Sequence, residues 1–549
     1  MPALFTGRTF PAHLERYRGT AHWRGTTIAE SVRNLAARAP DRAVFFGTAP
    51  AYTAARVAGD AESLAASLLE MGVQPGDVVS FQLPNWPEAA VINVACALIG
   101  AVVAPIIPIY RDLEVGQMLA ASGSRVHFAT PVYRNFDYAA MLTRLAARSA
   151  SPQHIVFVRG APDAAGNSGG TKSYAGLLEA GCGLRPAWPK VRSDAIKLLL
   201  YTSGTTGQPK GVVHTHDTLS CFIDSCARHW RVAPDEPLLM PSPVTHITGY
   251  GFGLEMPFLS GTRTLLMEAW NAEDATRLID QHGIVGTVSA TPFLQELGET
   301  ARRMATRLPT LRFFGCGGAA VPPELVRTAN STFEKACAFR VFGCSEAPMV
   351  TLGYLGRERA ELAATTDGEP VDYEVRIVDE QGHTLPQGSA GEILVRGPAM
   401  LFGYVDEAQT REAITADGYF RTGDLGMLAE SGALVVTGRK KDLIIRGGEN
   451  ISPKEIEDLL HLHPGIAEAA VVGMPHPRLG EGVCACVVPR PGYDIDAAAV
   501  IAYVASSGMA RQKCPERVEI LASLPKTASG KVRKDILRAA VREHVAPAS

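Results

Sequence analysis

The chain has 549 residues, of which 46% are hydrophobic and 20% charged, so it can bury a large core but is too long for one compact unit. Its 53 basic and 56 acidic residues nearly cancel, which excludes a broad electrostatic surface for nucleic acid or for an anionic membrane. The ten cysteines form no CxxC pair, so we expect buried thiols and no metal centre. The nearest two, Cys484 and Cys486, are expected to face opposite sides of a strand.

The ends of the chain show no sorting signal. The first residues lack a basic segment followed by an apolar one, and the last residues, HVAPAS, match no peroxisomal or retention signal. A soluble cytoplasmic protein is therefore expected.

The longest apolar stretch covers residues 89–109. It is interrupted by Asn93, Gly100, Pro105 and Pro108, which disfavours a membrane span. The stretch predicts instead a buried helix near 87–99 and a central strand near 101–106.

Strand candidates alternate with helical patterns through the first 320 residues, and the clearest are VVSFQL, AVVAPI, HIVFV, KLLLY, GTVSAT and FFGCGG. This alternation predicts a parallel α/β sheet. From about residue 370 the segments YEVRIVDE, GEILVRG and ALVVTGR predict a smaller β subdomain.

A different pattern begins after GRKKDLIIRGG. Helices near 453–462, 496–507 and 532–544, with the strands AEAAVVGM, GVCACVVP and RVEIL, predict a compact α+β module. The fold class is therefore α/β, with a large N-terminal domain at 1–439 and a small C-terminal domain at 440–549.

A loop rich in glycine and hydroxyl groups directly follows the strand candidate IKLLLY. Its backbone amides, hydroxyls and one lysine suit a polyphosphate, and they belong to Thr202, Ser203, Gly204, Thr205, Thr206, Gly207 and Lys210. A Walker phosphate loop is disfavoured because Gly211, and not Ser or Thr, follows the lysine.

Further motifs follow in order: GCGGAA at 315–320, FGCSE at 342–346, YFRTGD at 419–424, GRKKD at 438–442, GGENISP at 447–453 and PKTASGKVRK at 525–534. Together with TSGTTGQPKG they resemble the signature motifs of the adenylate-forming superfamily, which includes acyl-CoA synthetases, peptide-synthetase adenylation domains and firefly luciferase. The resemblance spans residues 200–534.

The resemblance implies roles for the motif residues in binding ATP. Lys531 is the catalytic lysine, Glu346 and Thr206 hold Mg2+, Thr205 contributes to catalysis, Asp424 binds the ribose hydroxyls and Arg439 contacts ribose or phosphate. The remaining nucleotide-binding residues are Gly318, Ala319, Ala320, Phe342, Gly343, Cys344 and Ser345.

Other roles concern the C-terminal domain. The resemblance makes this domain mobile, with a hinge at 440–442 centred on Lys441, and it places Gly447, Gly448 and Glu449 near the pantetheine arm of coenzyme A. The plainer alternative for the latter segment is a helix entry, with Ser452 as N-cap and Pro453 at the first helical position.

His246, in PVTHITG, resembles the residue that borders and gates the carboxylate pocket, with a packed core histidine as the alternative. The amino-acid activators' aspartate and the dihydroxybenzoate activators' His-Asn pair are missing here, which favours an acid without an amine. The small and apolar residues at 247–254 predict an alicyclic, aromatic or short-to-medium aliphatic acid. The overall pattern resembles cyclohexanecarboxylate-type CoA ligases.

The resemblance therefore implies an ATP-dependent carboxylic acid:CoA ligase that uses Mg2+ and forms an acyl-adenylate before the acyl-CoA. Loading of a carrier protein, or of an amine acceptor, stays open as the alternative, and so does a homodimer. A catalytically silent relative is disfavoured because Lys210, Glu346, Asp424 and Lys531 are all present.

Overall fold

The computed structural model describes residues 4–5, 7–47, 50–148, 152–160, 171–202, 209–527 and 530–545. The predictions for Ser203, Gly204, Thr205, Thr206 and Gly207 lie outside these ranges. Within them, no helix is both long enough and apolar enough to cross a membrane.

The strands fall into five sheets in the described part of the chain. The strands before residue 216 are β1 (Ala43–Phe45), β2 (Tyr52–Thr53), β3 (Val78–Gln82), β4 (Val102–Pro105), β5 (Val126–Ala129), β6 (Val132–Tyr133), β7 (Phe136–Asp137), β8 (His154–Phe157), β9 (Thr171–Ser173), β10 (Ile196–Thr202) and β11 (Lys210–Thr215). The next are β12 (Pro237–Met240), β13 (Arg263–Leu266), β14 (Gly286–Ser289), β15 (Phe313–Cys316), β16 (Cys337–Arg340), β17 (Glu374–Val378), β18 (Gly391–Arg396), β19 (Gly403–Tyr404), β20 (Phe420–Leu428) and β21 (Leu434–Arg439). The last are β22 (Ile444–Arg446), β23 (Glu449–Ile451), β24 (Ile466–His476), β25 (Gly480–Pro489) and β26 (Arg517–Ile520).

The helices alternate with these strands. They are α1 (Ala12–Glu15), α2 (Ile28–Arg38), α3 (Ala54–Glu70), α4 (Pro87–Ile99), α5 (Asp112–Ser122), α6 (Tyr138–Ala146), α7 (Tyr174–Gly181), α8 (His216–His229), α9 (Ile247–Gly249), α10 (Met256–Leu259), α11 (Ala272–His282), α12 (Thr291–Arg303), α13 (Pro323–Thr332), α14 (Ala360–Thr365), α15 (Glu407–Ala413), α16 (Pro453–Leu460), α17 (Ala497–Ser506) and α18 (Lys534–Val545). A π-helix covers Tyr250–Glu255, and 3-10 turns cover Arg357–Arg359, Lys440–Asp442 and Arg511–Lys513.

Two large sheets carry the first 400 residues. One, in the order β16-β15-β14-β12-β13-β1-β2, is parallel apart from the pair of β1 with β2. The other, β19-β11-β10-β4-β3-β5-β8-β9, is parallel from β10 to β9 and antiparallel from β10 to β19. The sequence predicted the parallel strands but not that they divide into two sheets.

The helix α4 belongs to the largest apolar core cluster, and all its 13 residues are buried. Pro87 starts it and Gly100 ends it in the left-handed conformation, so both ends follow ordinary helix-terminating rules. A helix that is apolar all round is buried on every side, and the predicted helix near 87–99 is confirmed. The predicted strand near 101–106 is β4, between β10 and β3.

The later part of the chain forms two further sheets, one antiparallel and one mixed, in which β26 runs parallel to β25. The strands β17, β18, β20 and β21 make a four-stranded sheet, which confirms the predicted small β subdomain. The strands β22 to β26 form the separate sheet of the small domain, packed by α16, α17 and α18.

The prediction for the two neighbouring cysteines was wrong. Cys484 and Cys486 both lie on β25 and both pack in the same apolar cluster with Leu537 and Val541. Alternate residues of a strand share one face, so a spacing of two places both thiols on the same side.

A buried ion pair ties β16 to the four-stranded sheet. The guanidinium of Arg340 donates to both carboxylate oxygens of Asp367 at 2.7–3.0 Å, and their side chains are only 4% and 10% exposed. Asp367 also accepts from the backbone N–H of Val436, in β21, at 2.8 Å. Removal of the Asp367 carboxylate would therefore leave the buried guanidinium of Arg340 without its counter-charge.

We therefore expect Asp367→Ala to reduce the free energy of unfolding by about 3–5 kcal/mol, visible as a lower thermal midpoint. The matched control is Asp112→Ala, since Asp112 pairs with Arg144 on the exposed surface and should leave the midpoint nearly unchanged. Equal midpoints for the two variants would contradict this account of Asp367.

Candidate active site

Three of the motif segments lie at the carboxyl ends of parallel strands. β10 ends at Thr202 and β16 at Arg340, before the glycine-hydroxyl loop and the FGCSE segment, and β15 ends at Cys316, within the GCGGAA segment. In open α/β sheets, ligands bind at this edge.

The glycine-hydroxyl loop joins two antiparallel strands. Thr202 at the end of β10 lies opposite Lys210 at the start of β11. The ammonium nitrogen of Lys210 lies 5.4 Å from the ring centroid of Tyr404, a distance at which a cation is attracted to an aromatic face. Lys210 therefore lies at the C-terminal end of this loop, beside Tyr404.

Glu346 is fixed from several sides. One carboxylate oxygen, Oε1, accepts from the Tyr404 hydroxyl at 2.9 Å, and the backbone carbonyl accepts from Leu401 N–H at 2.7 Å. The preceding carbonyl, of Ser345, lies 2.7 Å from Nε2 of His214, which must be the donor because a carbonyl only accepts. Burial lowers the pKa of His214 to about 4, so the imidazole is neutral near pH 7 and holds the backbone beside Glu346 through this hydrogen bond.

The other residues of the FGCSE segment act through the backbone and packing. Phe342 N–H donates to the Thr351 hydroxyl at 2.8 Å. A side chain at Gly343 would begin 2.4 Å from the backbone nitrogen of Met349, so only glycine fits. Burial, with Glu346 and Asp424 close by, raises the pKa of the Cys344 thiol well above its ordinary value, which keeps it protonated.

Asp424 and Arg439 lie opposite each other on β20 and β21. The guanidinium Nε lies 2.8 Å from Asp424 Oδ1, and the aspartate is 5% exposed. Burial raises the pKa of Asp424, and the positive charges of Arg439 and Lys531 oppose that shift. Arg439 thus holds Asp424 through Oδ1.

Lys531 belongs to the small domain and reaches this group of charges. Burial and the nearby Arg439 lower its pKa, whereas Asp424 and Glu346 oppose the shift and favour the ammonium. Its Cε lies 3.9 Å from where a side chain at Gly318 would begin. The structure therefore brings Lys531, Asp424, Arg439 and Glu346 together.

Hydrogen bonds join Thr527 to Lys531, and Gly530 lies close to the large domain. Thr527 N–H donates to Lys531 C=O at 2.7 Å, and Lys531 N–H donates to the Thr527 hydroxyl at 3.1 Å. Gly530 has a φ of +82°, a conformation that favours glycine, and a side chain there would begin 3.5 Å from Pro292 at the start of α12.

His246 also faces this group. Its Nδ1 accepts from Thr248 N–H at 3.5 Å, and burial together with the charge of Lys531 lowers its pKa to about 4. The imidazole is therefore neutral near pH 7 and carries its proton on Nε2.

The segment at 315–320 lines the same edge. Gly317 lies against Val341, where a side chain would begin 2.6 Å from the carbonyl oxygen. The hydroxyl of Thr291 donates to Ala320 C=O at 2.9 Å, and Gly318 and Ala320 are exposed, with Ala319 half-buried between them. Small side chains here keep the surface flat, as expected for a ring that lies on it.

The glycines after His246 are packed closely against neighbouring residues. Side chains at Gly249, Gly251 and Gly253 would begin 2.0 Å from Pro243 O, 2.1 Å from Phe222 and 3.2 Å from Met240. These glycines therefore permit close packing of the π-helix and cannot by themselves indicate the size of the acid.

The segment assigned to coenzyme A lies at the surface of the small domain. Gly447 and Gly448 have φ values of +60° and +89° and form the two-residue turn of the hairpin β22–β23. Gly447 N–H donates to Leu479 C=O at 2.8 Å, while Gly448, Glu449 and also Lys441 are exposed.

The helix entry after this hairpin differs from the expectation in one respect. Pro453 occupies the first turn of α16 and Ser452 the N-cap position, as predicted, but the Ser452 side chain makes no capping hydrogen bond. Its hydroxyl donates instead to Thr437 C=O at 2.6 Å.

Sequence reasoning missed Tyr404 and His214. Tyr404 lies in the short strand β19, beside β11, and orients Glu346 from 58 positions away in the sequence. Nothing in the local sequence connects either residue to Glu346, because the contacts arise from strand pairing.

Known proteins are similar to this chain over most of its length. The sequence model of the AMP-binding enzyme family matches residues 32–405, and that of the AMP-binding enzyme C-terminal domain matches residues 455–531. The medium-chain fatty-acid–CoA ligase of Escherichia coli is 32% identical over 525 residues, which are 95% of this chain and 92% of the relative.

Two further proteins are similar over nearly their whole length. The salicyl-AMP ligase / salicyl-S-ArCP synthetase of Mycobacterium tuberculosis is 33% identical over 97% of this chain and 94% of its own. The crystal structure of ATP-bound MatB from Rhodopseudomonas palustris superposes with a TM-score of 0.81 at 26% identity, covering 94% of this chain and 100% of that one. By its sequence, its fold and the arrangement of its motif residues, the chain belongs to the AMP-binding enzyme family.

Proposed function

We propose that this protein is an ATP-dependent carboxylic acid:CoA ligase, which forms an acyl-adenylate and pyrophosphate and then acyl-CoA and AMP. The observation that carries the proposal is the position of Lys531, which the small domain delivers beside Asp424, Arg439, Glu346 and His246. The similarity to a medium-chain fatty-acid–CoA ligase supports the same reaction.

In the first half-reaction a carboxylate oxygen of the acid attacks the α-phosphorus of ATP, and the bond from that phosphorus to the bridging oxygen of pyrophosphate breaks. Two anions must approach each other, so positive charge is needed between them. Lys531 and Lys210 would provide it, which is electrostatic stabilisation and positioning. Asp424, held by Arg439 through Oδ1, would accept from the ribose hydroxyls.

Glu346 suits a hard cation. The Tyr404 hydroxyl orients the carboxylate of Glu346, which would bind Mg2+ together with a ligand from Thr206. When bound, the cation would neutralise charge on the phosphates of ATP. The remaining work of this chain is to orient the carboxylate, which Tyr404, Leu401 and His214 do.

His246 borders the acid in this proposal. Its imidazole is neutral near pH 7, so it offers an Nε2–H donor and no charge. It can therefore gate the carboxylate pocket without adding a second positive charge beside Lys531. Thr205, from the loop beside Lys210, completes the set of catalytic groups that we propose.

The second half-reaction needs the thiol to reach the acyl carbon, so Lys531 has to leave. We place the domain boundary between 439 and 440 because β21 ends at Arg439, a 3-10 turn covers Lys440–Asp442, and β22 starts a different sheet. Rotation about Lys441 would withdraw Lys531 and bring Gly447, Gly448 and Glu449 toward the pantetheine arm.

The substrate class and setting follow from the relatives and the chemistry. An acid with an apolar chain or ring is favoured by the similarity to the medium-chain ligase, and a cytoplasmic location and a homodimer are our working hypotheses. Loading of a carrier protein is a second candidate function, because a relative is named as both an AMP ligase and a carrier-protein synthetase.

The reaction is tested by pyrophosphate release across a panel of aliphatic, alicyclic and aromatic acids, with and without CoA. The accepted acid should give about one equivalent of pyrophosphate per enzyme without an acceptor and continuous turnover with CoA, because the adenylate stays bound until a thiol takes the acyl group. Turnover with a phosphopantetheinyl carrier protein but not with CoA would favour the second candidate. Release with no acid of the panel would contradict both.

Lys531→Ala should lower adenylate formation by at least about 100-fold, because one preorganised charge is lost from the site. Thioester formation from supplied acyl-adenylate should be largely retained. The matched control is Lys526→Ala, since Lys526 lies on the same loop but pairs with Glu468. Equal loss of both half-reactions in Lys531→Ala would contradict this division of roles.

Tyr404→Phe should raise the Mg2+ concentration for half-maximal adenylation by roughly 10-fold, because Glu346 loses the donor that orients its carboxylate. Titration of adenylation with Mg2+ at saturating ATP measures this. Tyr138→Phe is the control, because that hydroxyl donates to Pro108 C=O and not to Glu346. An unchanged Mg2+ requirement in Tyr404→Phe would contradict the role of Tyr404.

A further inference from the structure

The start of α16 carries a sequence pattern that its structure does not use. Ser452-Pro453-Lys454-Glu455 places Ser at the N-cap and Glu at the third helical position, the arrangement of a capping box. In such a box the hydroxyl accepts from the backbone N–H of the third residue, and the glutamate accepts from the N–H of the N-cap residue.

Both side chains are engaged elsewhere. The Ser452 hydroxyl donates to Thr437 C=O at 2.6 Å and makes no bond to its own helix, and the Glu455 carboxylate pairs with Lys513. The capping box is therefore encoded but open in this structure.

Thr437 belongs to the large domain, on the other side of the boundary that we propose at 440. It lies on β21, the edge strand of its sheet, at an irregularity where Val436 pairs with Gly426 and Gly438 pairs with Leu425. Thr437, between these two residues, has no paired residue on β20. The Ser452 hydroxyl donates to its backbone carbonyl instead. The neighbouring Gly438 leaves the hydroxyl room, since a side chain there would begin 3.1 Å from it.

A chain of short contacts connects Ser452 to the catalytic loop. Ser452 precedes α16, whose Glu457 accepts from Lys534 at 2.6 Å and from Val471 N–H at 2.7 Å. Lys534 starts α18, three residues after Lys531. Fixing Ser452 against the large domain therefore also fixes the base of the loop that delivers Lys531.

We propose that Ser452 is a positioning residue of the first half-reaction: its bond to Thr437 C=O holds the small domain in the orientation that places Lys531 in the site. The inference rests on the proposed function. When the domain turns away, the freed hydroxyl can accept from Glu455 N–H and close the capping box. This capping bond offsets only part of the lost bond, so the hydroxyl still favours the orientation that places Lys531 in the site.

Three substitutions separate this role from helix capping. Ser452→Ala removes donor and acceptor, Ser452→Thr keeps both, and Ser452→Asp keeps a good capping acceptor but has no hydroxyl donor. The half-reactions are measured separately, as ATP–pyrophosphate exchange with the accepted acid and as thioester formation from supplied acyl-adenylate.

We expect pyrophosphate exchange to fall roughly five-fold in both Ser452→Ala and Ser452→Asp, the factor that one net hydrogen bond supplies, and to stay near the unmodified level in Ser452→Thr. Thioester formation should not fall in any of them. Thermal midpoints of the three variants show that each is folded. Ser506→Ala is the matched control, because that hydroxyl donates to Tyr503 C=O within α17 and should change neither half-reaction.

Normal exchange in Ser452→Asp together with a loss in Ser452→Ala would overturn the proposal in favour of an ordinary helix cap. Unchanged exchange in Ser452→Ala, or equal loss of both half-reactions, would also overturn it. These outcomes are distinct from failure of the proposed function, in which the unmodified protein itself shows no acid-dependent exchange.

Discussion

A lysine ammonium withdrawn from water loses hydration, nearby negative groups replace only part of what is lost, and the arrangement of this protein depends on that constraint. Lys531 comes from the small domain, and burial together with Arg439 lowers its pKa in the site. Asp424 and Glu346, both from the large domain, oppose that shift in part. The two domains therefore depend on each other electrostatically, because the negative charges that favour the buried ammonium belong to the large domain.

The supports of the two acidic groups extend this dependence through the large domain. Asp424 lies on a sheet whose β21 is tied to β16 by the buried pair of Arg340 and Asp367, and β16 leads directly into the segment of Glu346. Glu346 in turn is oriented by Tyr404, which packs beside β11. Strands from separate segments of the chain therefore fix the positions of Asp424 and Glu346. A displacement of one of these strands would change the distance between the two carboxylates.

The sequence allowed most of the fold and the main charged residues to be predicted. The apolar stretch at 89–109 resolved into α4 and β4 as expected, because the helix-breaking residues mark the boundary between them. Lys531, Asp424 and Glu346 were identified because each lies in a sequence motif whose neighbouring residues also match the family's pattern. Tyr404 was not, because its contact depends on the pairing of β19 with β11. The close packing at the glycines of 249–253 could not be predicted for a related reason: a sequence shows where a side chain is missing, and only the structure shows that Pro243, Phe222 and Met240 fill the space.

The hairpin around Gly447 and Gly448 has a consequence for the energetics of turnover. Both φ values are positive and Arg446 pairs with Gly480 in β25, so the segment is an ordered extension of the small domain's sheet. The conformational entropy of ordering it is lost once, when the domain folds. A segment that had to become ordered around each incoming thiol would incur that loss in every cycle, at about 1–2 kcal/mol for each residue fixed.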